Sequence, residues 1–208
     1  MTLPRLHAVV TDAVARSAGF LDRCAEMQER CGAELAVHLR LRDTPVRRQL
    51  ELAECLEQGA METDGWLVIN RRVDVALACG ADAVQLGLGS LPIMAVRAMV
   101  GDSLTIGASV HDLPTADACR QDGADYLVVG SVFSTPTHPG VEAGGHALIS
   151  GVADAGLPVI AIGGIDRPEV AGVLKAGAHG VAVIRAIWGT PYPPDAAEGI
   201  CAALTNRH

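Results

Sequence analysis

The chain has 208 residues, of which 50% are hydrophobic and only 3% are aromatic. This length suffices for a full hydrophobic core, and we expect residues 1–208 to form a single domain whose core is built from Ala, Val, Leu and Ile. Sixteen basic residues against twenty-four acidic ones give a net charge of −8, which argues against nucleic acid and anionic membrane surfaces as partners. An anionic ligand must therefore be bound by a local arrangement of groups.

Short runs rich in β-branched residues alternate with helix-length segments rich in Ala, Leu, Glu and Arg. Eight such pairs occur, an alternation typical of βα units that build a parallel sheet. The predicted strands are Leu6–Thr11, Leu35–Arg40, Trp66–Asn70, Ala83–Gly87, Thr105–Val110, Tyr126–Ser131, Val159–Gly163 and Val181–Arg185. The predicted helices between them include Val46–Gln58, Leu91–Val100, Pro114–Gln121 and Pro168–Ala176. The pattern predicts an α/β fold, a single (β/α)8 TIM barrel.

A weak internal repeat supports the barrel. The tripeptides that begin at Gly80, Gly123 and Gly177 each end a predicted helix and begin the next strand, as glycine does at helix C-termini. A doubly wound open sheet is the alternative fold. The GxGxxG motif that would mark its nucleotide site is missing after the first strand, which favours the barrel.

Two apolar segments near the C-terminus, Pro158–Ile165 and Gly180–Ile187, have the spacing of one βα unit. Gly163 and Gly164 have no Cβ, so a ligand oxygen can reach their amide hydrogens, and a predicted helix from about Arg167 would direct its positive end there. In barrels of this class, the loops after the last two strands commonly bind phosphate. We therefore predict a phosphate site after strands seven and eight, against the alternative of an ordinary glycine turn.

Active sites of such barrels lie where the strands end, so polar residues at those ends are the candidate site residues. Strand two contributes His38, Arg40 and Arg42, strand three Asn70, strand four Gln85, and strand five Ser109 and His111. The loop after strand six offers Ser131, Ser134, Thr135, Thr137 and His138.

Each candidate also has a purely structural interpretation. His111 could orient the start of the next helix, His138 could be a solvated loop residue, and His38 could be a core histidine with satisfied hydrogen bonds. Arg40 and Arg42 share one strand face, where a surface ion pair is the alternative to a ligand-binding role.

Other features narrow the chemistry and the cellular setting. The six cysteines are scattered without a CxxC pair, so we expect small buried hydrophobes in a reducing cytoplasm, and no export or membrane segment is evident. Lys175 is the only lysine and lies in a predicted helix, which excludes a Schiff-base aldolase. No cluster with metal-ligand spacing is present, so no metal site is predicted. The sequence leaves homo-oligomerisation open.

Several segments together resemble the thiamin phosphate synthase and thiazole tautomerase (TenI) family. They are VHLRLRD from Val37, INRRVDVAL from Ile69, GADAVQLG from Gly80, IGASVHD from Ile106, ADYLVVGSVFSTPTHPG from Ala124, and the IGGI and GVAVI pair. The resemblance covers almost the full length of the chain. It implies a barrel enzyme whose small-molecule ligand is a phosphorylated thiazole.

The resemblance also implies roles for individual residues. Thr135 and Thr137 would line the thiazole side of the site, and the phosphate would be held by Gly163, Gly164, Ile184 and Arg185. Arg185 departs from the family pattern, which often has a small serine there.

The synthase branch joins a pyrimidine diphosphate to the thiazole phosphate and needs Mg²⁺ and several cations for the leaving pyrophosphate. Arg71 and Ser90 stand where the synthase pattern has aspartates, and Arg42 and His138 stand where it has lysines. Arginine can bind a phosphate but cannot replace a magnesium ligand. The resemblance therefore implies Mg²⁺ only if the chain is a synthase, and no cofactor otherwise.

The tautomerase branch shares these departures and has the His-x-Arg-x-Arg and Asn-x-Arg-Val-Asp motifs seen here. Its proton shift suits a histidine, but Ser131 stands where that branch places one after strand six. The candidate catalytic residues are accordingly His111, His138 and Ser131. A thiazole tautomerase is the leading hypothesis, a thiamin phosphate synthase is the alternative, and a non-catalytic thiazole or thiamin phosphate-binding protein is the third.

Overall fold

The strands of the molecule form one closed sheet. The computed structural model describes residues 2–87, 89–134 and 143–205. Within these residues the strands are β1 (Leu6–Thr11), β2 (Leu35–Arg40), β3 (Trp66–Asn70), β4 (Ala83–Leu86), β5 (Thr105–Val110), β6 (Tyr126–Val129), β7 (Val159–Ile162) and β8 (Gly180–Val183). All neighbours are parallel, each strand pairs with the next along the chain, and β1 also pairs with β8. The predicted TIM-barrel fold is confirmed.

Helices surround this barrel in chain order. In the described ranges they are α1 (Asp12–Ala15), α2 (Phe20–Cys31), α3 (Val46–Thr63), α4 (Val73–Cys79), α5 (Ile93–Val100), α6 (Leu113–Gln121), α7 (Gly145–Ala153), α8 (Val170–Lys175), α9 (Arg185–Trp188) and α10 (Pro193–Thr205). Single 3₁₀ turns occur at Gly32–Glu34 and Arg167–Glu169. The C-terminal helix α10 packs against α2 and β1, and so brings the last helix onto the first strand.

Two apolar layers follow from the alternation of side chains along each strand. Leu6, Ile106 and Ile149 belong to the layer between barrel and helices, which contains most of the buried aliphatic residues. The layer inside the barrel is smaller and combines short side chains with two large rings; it contains Val9, Ala36, Trp66, Val68, Ala83, Tyr126, Val128, Ile160 and Ala182. The same alternation turns His38 and Arg40 of β2 toward the barrel axis.

The predicted glycine repeat is confirmed. Gly80, Gly123 and Gly177 have φ angles of 76°, 98° and 104°, in the left-handed region that glycine adopts without steric cost. A residue with a side chain would be strained at each of these helix ends.

The aspartates that follow the first two of these glycines have a shared role that the sequence pattern did not reveal. Asp82 Oδ2 accepts the N–H of Leu67 at 2.8 Å, and Asp125 Oδ2 accepts the N–H of Ile106 at 2.7 Å. Each carboxylate therefore binds a free N–H near the start of the neighbouring strand, at the N-terminal rim of the barrel.

The predicted ends of the last three strands were wrong. They were placed at Ser131, Gly163 and Arg185, but β6, β7 and β8 each end one or two residues earlier. Gly163 and Gly164 have φ angles of 108° and 65°, which end β7, and Arg185 is the first residue of α9. The helix predicted from about Arg167 is a single 3₁₀ turn followed by the six-residue α8. A helix this short adds little dipole, so amide groups must carry any anion binding there.

The cysteines are only partly as predicted. Cys24, Cys31 and Cys201 are buried, but Cys55 is exposed, and Cys79 and Cys119 are partly buried. Separately, no helix in the described parts of the chain is both long and apolar enough to cross a membrane.

Gly107 makes room for two large side chains inside the barrel. A Cβ on this residue would lie 2.3 Å from Gln85 Oε1 and 2.3 Å from Tyr126 Cζ. Both side chains are buried, so neither can move toward solvent. The missing side chain of Gly107 is therefore a packing requirement.

We expect Gly107→Ala to lower the free energy of unfolding by about 1–3 kcal/mol, because the added methyl overpacks a closed interior. Gly151→Ala is the matched control. Gly151 lies in α7, and nothing lies within 4 Å of the position that an added methyl would take, so alanine should be neutral or slightly stabilising there. Urea unfolding of both variants measures the difference, and equal midpoints would contradict the packing argument.

Candidate active site

A cavity of about 420 Å³ opens at the end of the barrel where the strands terminate. Twelve of the sixteen predicted site residues line it: His38, Arg40, Arg42, Asn70, Gln85, Ser109, His111, Ser131, Gly163, Gly164, Ile184 and Arg185. Thr135, Thr137 and His138 lie outside the described residues, and Ser134 is exposed and does not line the cavity. The structure thus brings twelve of the candidates to one site, while their chemical roles remain predictions.

The glycine pair after β7 has two structural properties. A Cβ on Gly163 would lie 2.7 Å from Ser131 Oγ, and one on Gly164 would lie 2.7 Å from the carbonyl oxygen of Ser134. The close approach of the loop after β6 therefore requires both glycines, irrespective of any ligand. In addition, neither glycine N–H has an acceptor among the described residues, so both remain available to an anion.

Arg185 lies beside this pair of glycines. Its guanidinium is 3.7 Å from the carboxylate of Asp166, and both side chains are more than half exposed. Such a pair contributes little to stability. The arginine is therefore free to exchange its carboxylate partner for a phosphate.

Three arginines lie at the ends of β2 and β3. Arg40 is half-buried, and its pKa is lowered by burial, then by the positive charges of Arg42 and Arg71, with Asp12 partly opposing them. No side chain in the described part of the chain forms an ion pair with Arg40 or Arg42. This local excess of positive charge favours an anionic ligand.

Asp12, which was not predicted, holds the loop after β2. Its carboxylate accepts the N–H of Arg42 at 2.9 Å and of Asp43 at 3.2 Å, and the hydroxyl of Thr44 at 2.7 Å. Burial alone would raise its pKa, but these hydrogen bonds outweigh burial and lower the pKa. The sequence did contain a signal for this role, because Asp12 is a polar residue directly after the first strand, where site residues of such barrels lie.

The floor of the cavity is polar. Gln85 Nε2 donates to Ser109 Oγ at 3.1 Å, and Asn70 Oδ1 is buried without a hydrogen-bond partner among the described residues. Burial lowers the pKa of His38 to about 4, so this ring is neutral near pH 7. His38 therefore acts as a hydrogen-bonding group and does not supply a cation.

His111 is oriented by the strand beside it. Its Nδ1 faces the carbonyl oxygen of Gly130, which can only accept, so Nδ1 carries the proton. In the neutral form of this ring the lone pair is on Nε2, where it can accept a proton from a ligand. Ser131, also predicted as catalytic, has its backbone carbonyl bound to the N–H of Gly144 at 3.0 Å.

Comparison with known proteins identifies the family. The sequence model described as thiamine monophosphate synthase (TMP-TENI) matches residues 8–187. The chain belongs to this family. A thiamine-phosphate synthase of Roseiflexus castenholzii is 38% identical over 203 residues, covering 96% of this chain and 88% of that protein. A thiamine-phosphate synthase of Mycolicibacterium smegmatis is 40% identical over 161 residues, covering 76% of this chain and 71% of that protein.

Solved structures support the family and the fold. The thiamine phosphate pyrophosphorylase of Pyrococcus furiosus superposes with a TM-score of 0.83 at 33% identity, covering 96% of this chain and 95% of that one. A 3-hexulose-6-phosphate synthase has a TM-score of 0.72 at 20% identity, which is a likeness of fold alone. The relatives in thiamine biosynthesis have synthase names, so the comparisons favour the synthase alternative over the tautomerase branch.

The donor atoms of the site do not fit the Mg²⁺ that the synthase resemblance implies. Mg²⁺ is held in proteins through carboxylate oxygens, with water and substrate phosphates. Among the described residues that line the cavity, Asp166 has the one carboxylate, and it faces Arg185. Arg71 Nη2 donates to the carbonyl oxygen of Gly89 at 3.0 Å, and Ser90 Oγ accepts a backbone N–H. Neither supplies the carboxylate that the synthase pattern has at its position.

We expect Gly163→Ala to weaken inorganic phosphate binding at least tenfold, because the methyl displaces Ser131 and distorts the free amide groups. Gly156→Ala is the control. Gly156 also has a positive φ, of 78°, so alanine causes backbone strain there as it does at position 163. Nothing lies within 4 Å of the position that the added methyl would take, so this variant introduces no steric contact. Titration calorimetry with phosphate distinguishes the two variants; equal loss of affinity in both would remove the role of Gly163.

The lowered pKa of Asp12 predicts a pH-dependent stability. Stabilisation by this ionised carboxylate is present above its unfolded pKa of about 3.9 and is lost as the pH falls through the lower folded value. Asp12→Asn should therefore be clearly less stable than wild type at pH 7, and the difference should shrink toward pH 3. Urea unfolding at both pH values tests this, with Asp154→Asn, at the exposed end of α7, as the control.

Proposed function

We propose that this chain is a transferase of thiamine biosynthesis that joins a pyrimidine diphosphate to a thiazole phosphate and releases pyrophosphate. The synthase names of its relatives support this choice between the reactions of the family. Their sequences align with three quarters of this chain or more, so the likeness includes most of the barrel.

The observation that carries the proposal is the presence of two separate positions for anions around one cavity. The free amides of Gly163 and Gly164 lie at the end of β7, where a thiazole phosphate would be anchored. Arg40, Arg42 and Arg71 lie at the ends of β2 and β3, on the other side of the closed barrel. The phosphate of the thiazole would bind at the glycine amides, and the diphosphate of the pyrimidine would bind at the arginines.

The chemistry requires charge stabilisation more than proton transfer. The bond between the pyrimidine methylene and the diphosphate oxygen breaks, and its electron pair leaves with pyrophosphate. The thiazole nitrogen then forms a bond to the methylene carbon and becomes positively charged. Guanidinium groups that donate paired hydrogen bonds would stabilise the leaving pyrophosphate in place of a protein-bound metal.

A thiazole tautomerase is the second candidate, and a specific observation favours it. The cavity lacks the metal carboxylates of a synthase among its described residues, yet it has His111, whose Nδ1 faces the carbonyl oxygen of Gly130 and whose Nε2 is left for a substrate. That nitrogen could remove and return the proton that an aromatisation moves. In this reaction Arg40 and Arg42 would hold a substrate carboxylate.

The test is formation of thiamin phosphate from both substrates by purified protein, in MgCl₂ and in EDTA. We expect turnover to continue in EDTA, since arginines take the place of metal ligands. Arg40→Ala should lower kcat/KM for the pyrimidine diphosphate about 100-fold, the typical effect of removing one group that stabilises a developing oxyanion. Arg72→Ala is the control, because Arg72 neighbours Arg71 but pairs with Asp74 outside the cavity.

Each contrary result has a defined meaning. Absence of thiamin phosphate under both conditions would refute the synthase. Aromatisation of the thiazole tautomer by the same protein, lost in His111→Asn, would then establish the second candidate. Turnover that stops in EDTA would show that metal enters with the substrates and would refute the role assigned to the arginines.

A further inference from the structure

The loop after β2, residues 41–45, borders the cavity through Arg42 and is bound by the carboxylate of Asp12. Asp12 Oδ2 accepts the N–H of Arg42 at 2.9 Å, while Oδ1 accepts the N–H of Asp43 at 3.2 Å and the hydroxyl of Thr44 at 2.7 Å. Asp12 is only 9% exposed, so its oxygens are largely shielded from water. One buried carboxylate therefore binds three consecutive residues of this loop.

Gln49 binds the same loop from a second element of the fold. Its side chain is buried near the start of α3, and its Nε2 donates to the carbonyl oxygen of Thr44 at 2.7 Å and, more weakly, to that of Leu41 at 3.5 Å. Asp12 thus accepts hydrogen bonds from the loop, and Gln49 donates hydrogen bonds to it. We call these two side chains the loop clamp. Their partners lie on both sides of Arg42 along the chain, so the clamp fixes the backbone at this residue.

The side chain of Arg42 has no such support. It lines the cavity, and no described residue forms a hydrogen bond or an ion pair with its guanidinium. Its neighbours are cations, since the pKa of Arg40 is lowered by burial and then by the charges of Arg42 and Arg71. Repulsion among these like charges would drive an unrestrained loop away from the cavity. Held by its backbone alone, Arg42 depends on the loop clamp to stay beside Arg40.

The way in which Asp12 binds the loop leaves the arginines available to a ligand. A carboxylate paired with the guanidinium of Arg42 would neutralise the charge that attracts an anion. Asp12 instead accepts two backbone N–H groups and a hydroxyl, and it forms no ion pair with Arg40 or Arg42. Its negative charge still offsets part of the repulsion on Arg40. Asp12 thus anchors the loop without occupying either guanidinium.

We propose that Asp12 and Gln49 are positioning residues for anion binding, which hold the loop after β2 so that Arg42 adds its guanidinium to that of Arg40 at the cavity. Two neighbouring guanidinium groups match a diphosphate, whose charge is spread over two phosphoryl groups, better than they match a single phosphate. The choice of the pyrimidine diphosphate as the ligand rests on the proposed synthase function. The positioning of Arg42 by the loop clamp does not rest on it.

Amide hydrogen exchange, followed by NMR, tests the loop clamp without any substrate. Arg42 and Asp43 are exposed residues, so their amide hydrogens would exchange rapidly without the hydrogen bonds to Asp12. We expect both amides to be protected in the free wild-type protein, and Asp12→Asn to lower their protection about tenfold or more. Asparagine has one acceptor oxygen, and its NH₂ group would face an N–H of the loop. Rapid exchange in the wild type, or unchanged exchange in the variant, would overturn the proposal.

Binding of inorganic pyrophosphate without added metal tests the consequence for the cavity. Removal of the negative charge of Asp12 would by itself strengthen the binding of an anion. We expect the opposite in titration calorimetry: Asp12→Asn should bind pyrophosphate about tenfold more weakly than the wild type, because the loop no longer holds Arg42. Gln49→Met changes no charge and should also weaken binding. Unchanged or tighter binding in Asp12→Asn would overturn the proposal, and so would a wild-type protein that does not bind pyrophosphate.

A double-mutant cycle shows whether Asp12 acts through Arg42. Arg42→Ala should also weaken pyrophosphate binding about tenfold. If Asp12 acts by positioning Arg42, the addition of Asp12→Asn to Arg42→Ala should change the affinity by less than about twofold. An equal loss with and without Arg42 would show that Asp12 supports the fold in general, and would overturn the proposal.

Gln28→Met is the matched control for Gln49→Met. Gln28 is also a buried glutamine, and its Nε2 donates to the carbonyl oxygen of Leu56 at 2.9 Å, between α2 and α3 and outside the cavity lining. Both variants replace a buried amide with a thioether of similar volume, so both should lower the stability. Only Gln49→Met should weaken pyrophosphate binding. An equal loss of affinity in both variants would contradict a specific role of Gln49.

Kinetics connect the loop clamp to the proposed reaction, and the two proposals fail in different ways. In Asp12→Asn we expect KM for the pyrimidine diphosphate to rise about tenfold, while KM for the thiazole phosphate is unchanged. Equal rises in both KM values would indicate a merely structural role and would overturn the inference. If the wild type forms no thiamin phosphate, the synthase function fails, whereas the exchange and pyrophosphate measurements still decide the role of the loop clamp.

Discussion

Closure of the sheet by pairing of β1 with β8 is the constraint on which the site depends. All eight strands are parallel, so their carboxyl ends form one rim, and residues far apart in the chain meet around a single cavity. The glycines after β7 and the arginines of β2 and β3 are thereby held on different sides of that cavity. Without closure, these two groups of anion-binding residues would lie at separate places along an open sheet.

Polar groups inside this closed space must satisfy one another. The short side chains of Ala36, Ala83 and Ala182, and the absence of one at Gly107, leave room for His7, Tyr126 and Gln85 within the barrel. Such a network costs stability if any member loses its partner. In this chain the buried atoms without a described partner include Asn70 Oδ1, Gln85 Oε1 and the hydroxyl of Tyr126.

The sequence predicted the fold well because the alternation of strands and helices is regular. The strands β1, β2, β3 and β5 have the predicted bounds. The errors concentrate at the ends of β6, β7 and β8, where glycine conformations end strands that composition alone would extend.

The site residues could be predicted from the sequence because active sites of such barrels lie at the C-terminal ends of the strands. The buried pair of His7 and His38 was missed because His7 alternates like a core residue, and the carbonyl of Pro4 and the ring of His38 come within hydrogen-bond distance of it only in the folded chain. Short motifs near β2 and β3 indicated the tautomerase, whereas similarity across the whole barrel favours the synthase.

At the N-terminal rim Asp82 and Asp125 bind strand N–H groups, and Asp125 is also paired with Arg97. The C-terminal rim differs, because Arg40, Arg42 and Arg71 have no ion-pair partners among the described residues. A protein with a net charge of −8 would repel phosphorylated metabolites from most of its surface. The local field at the cavity reverses that repulsion, so anionic substrates would approach this barrel from one end, at a rate that falls as salt concentration rises.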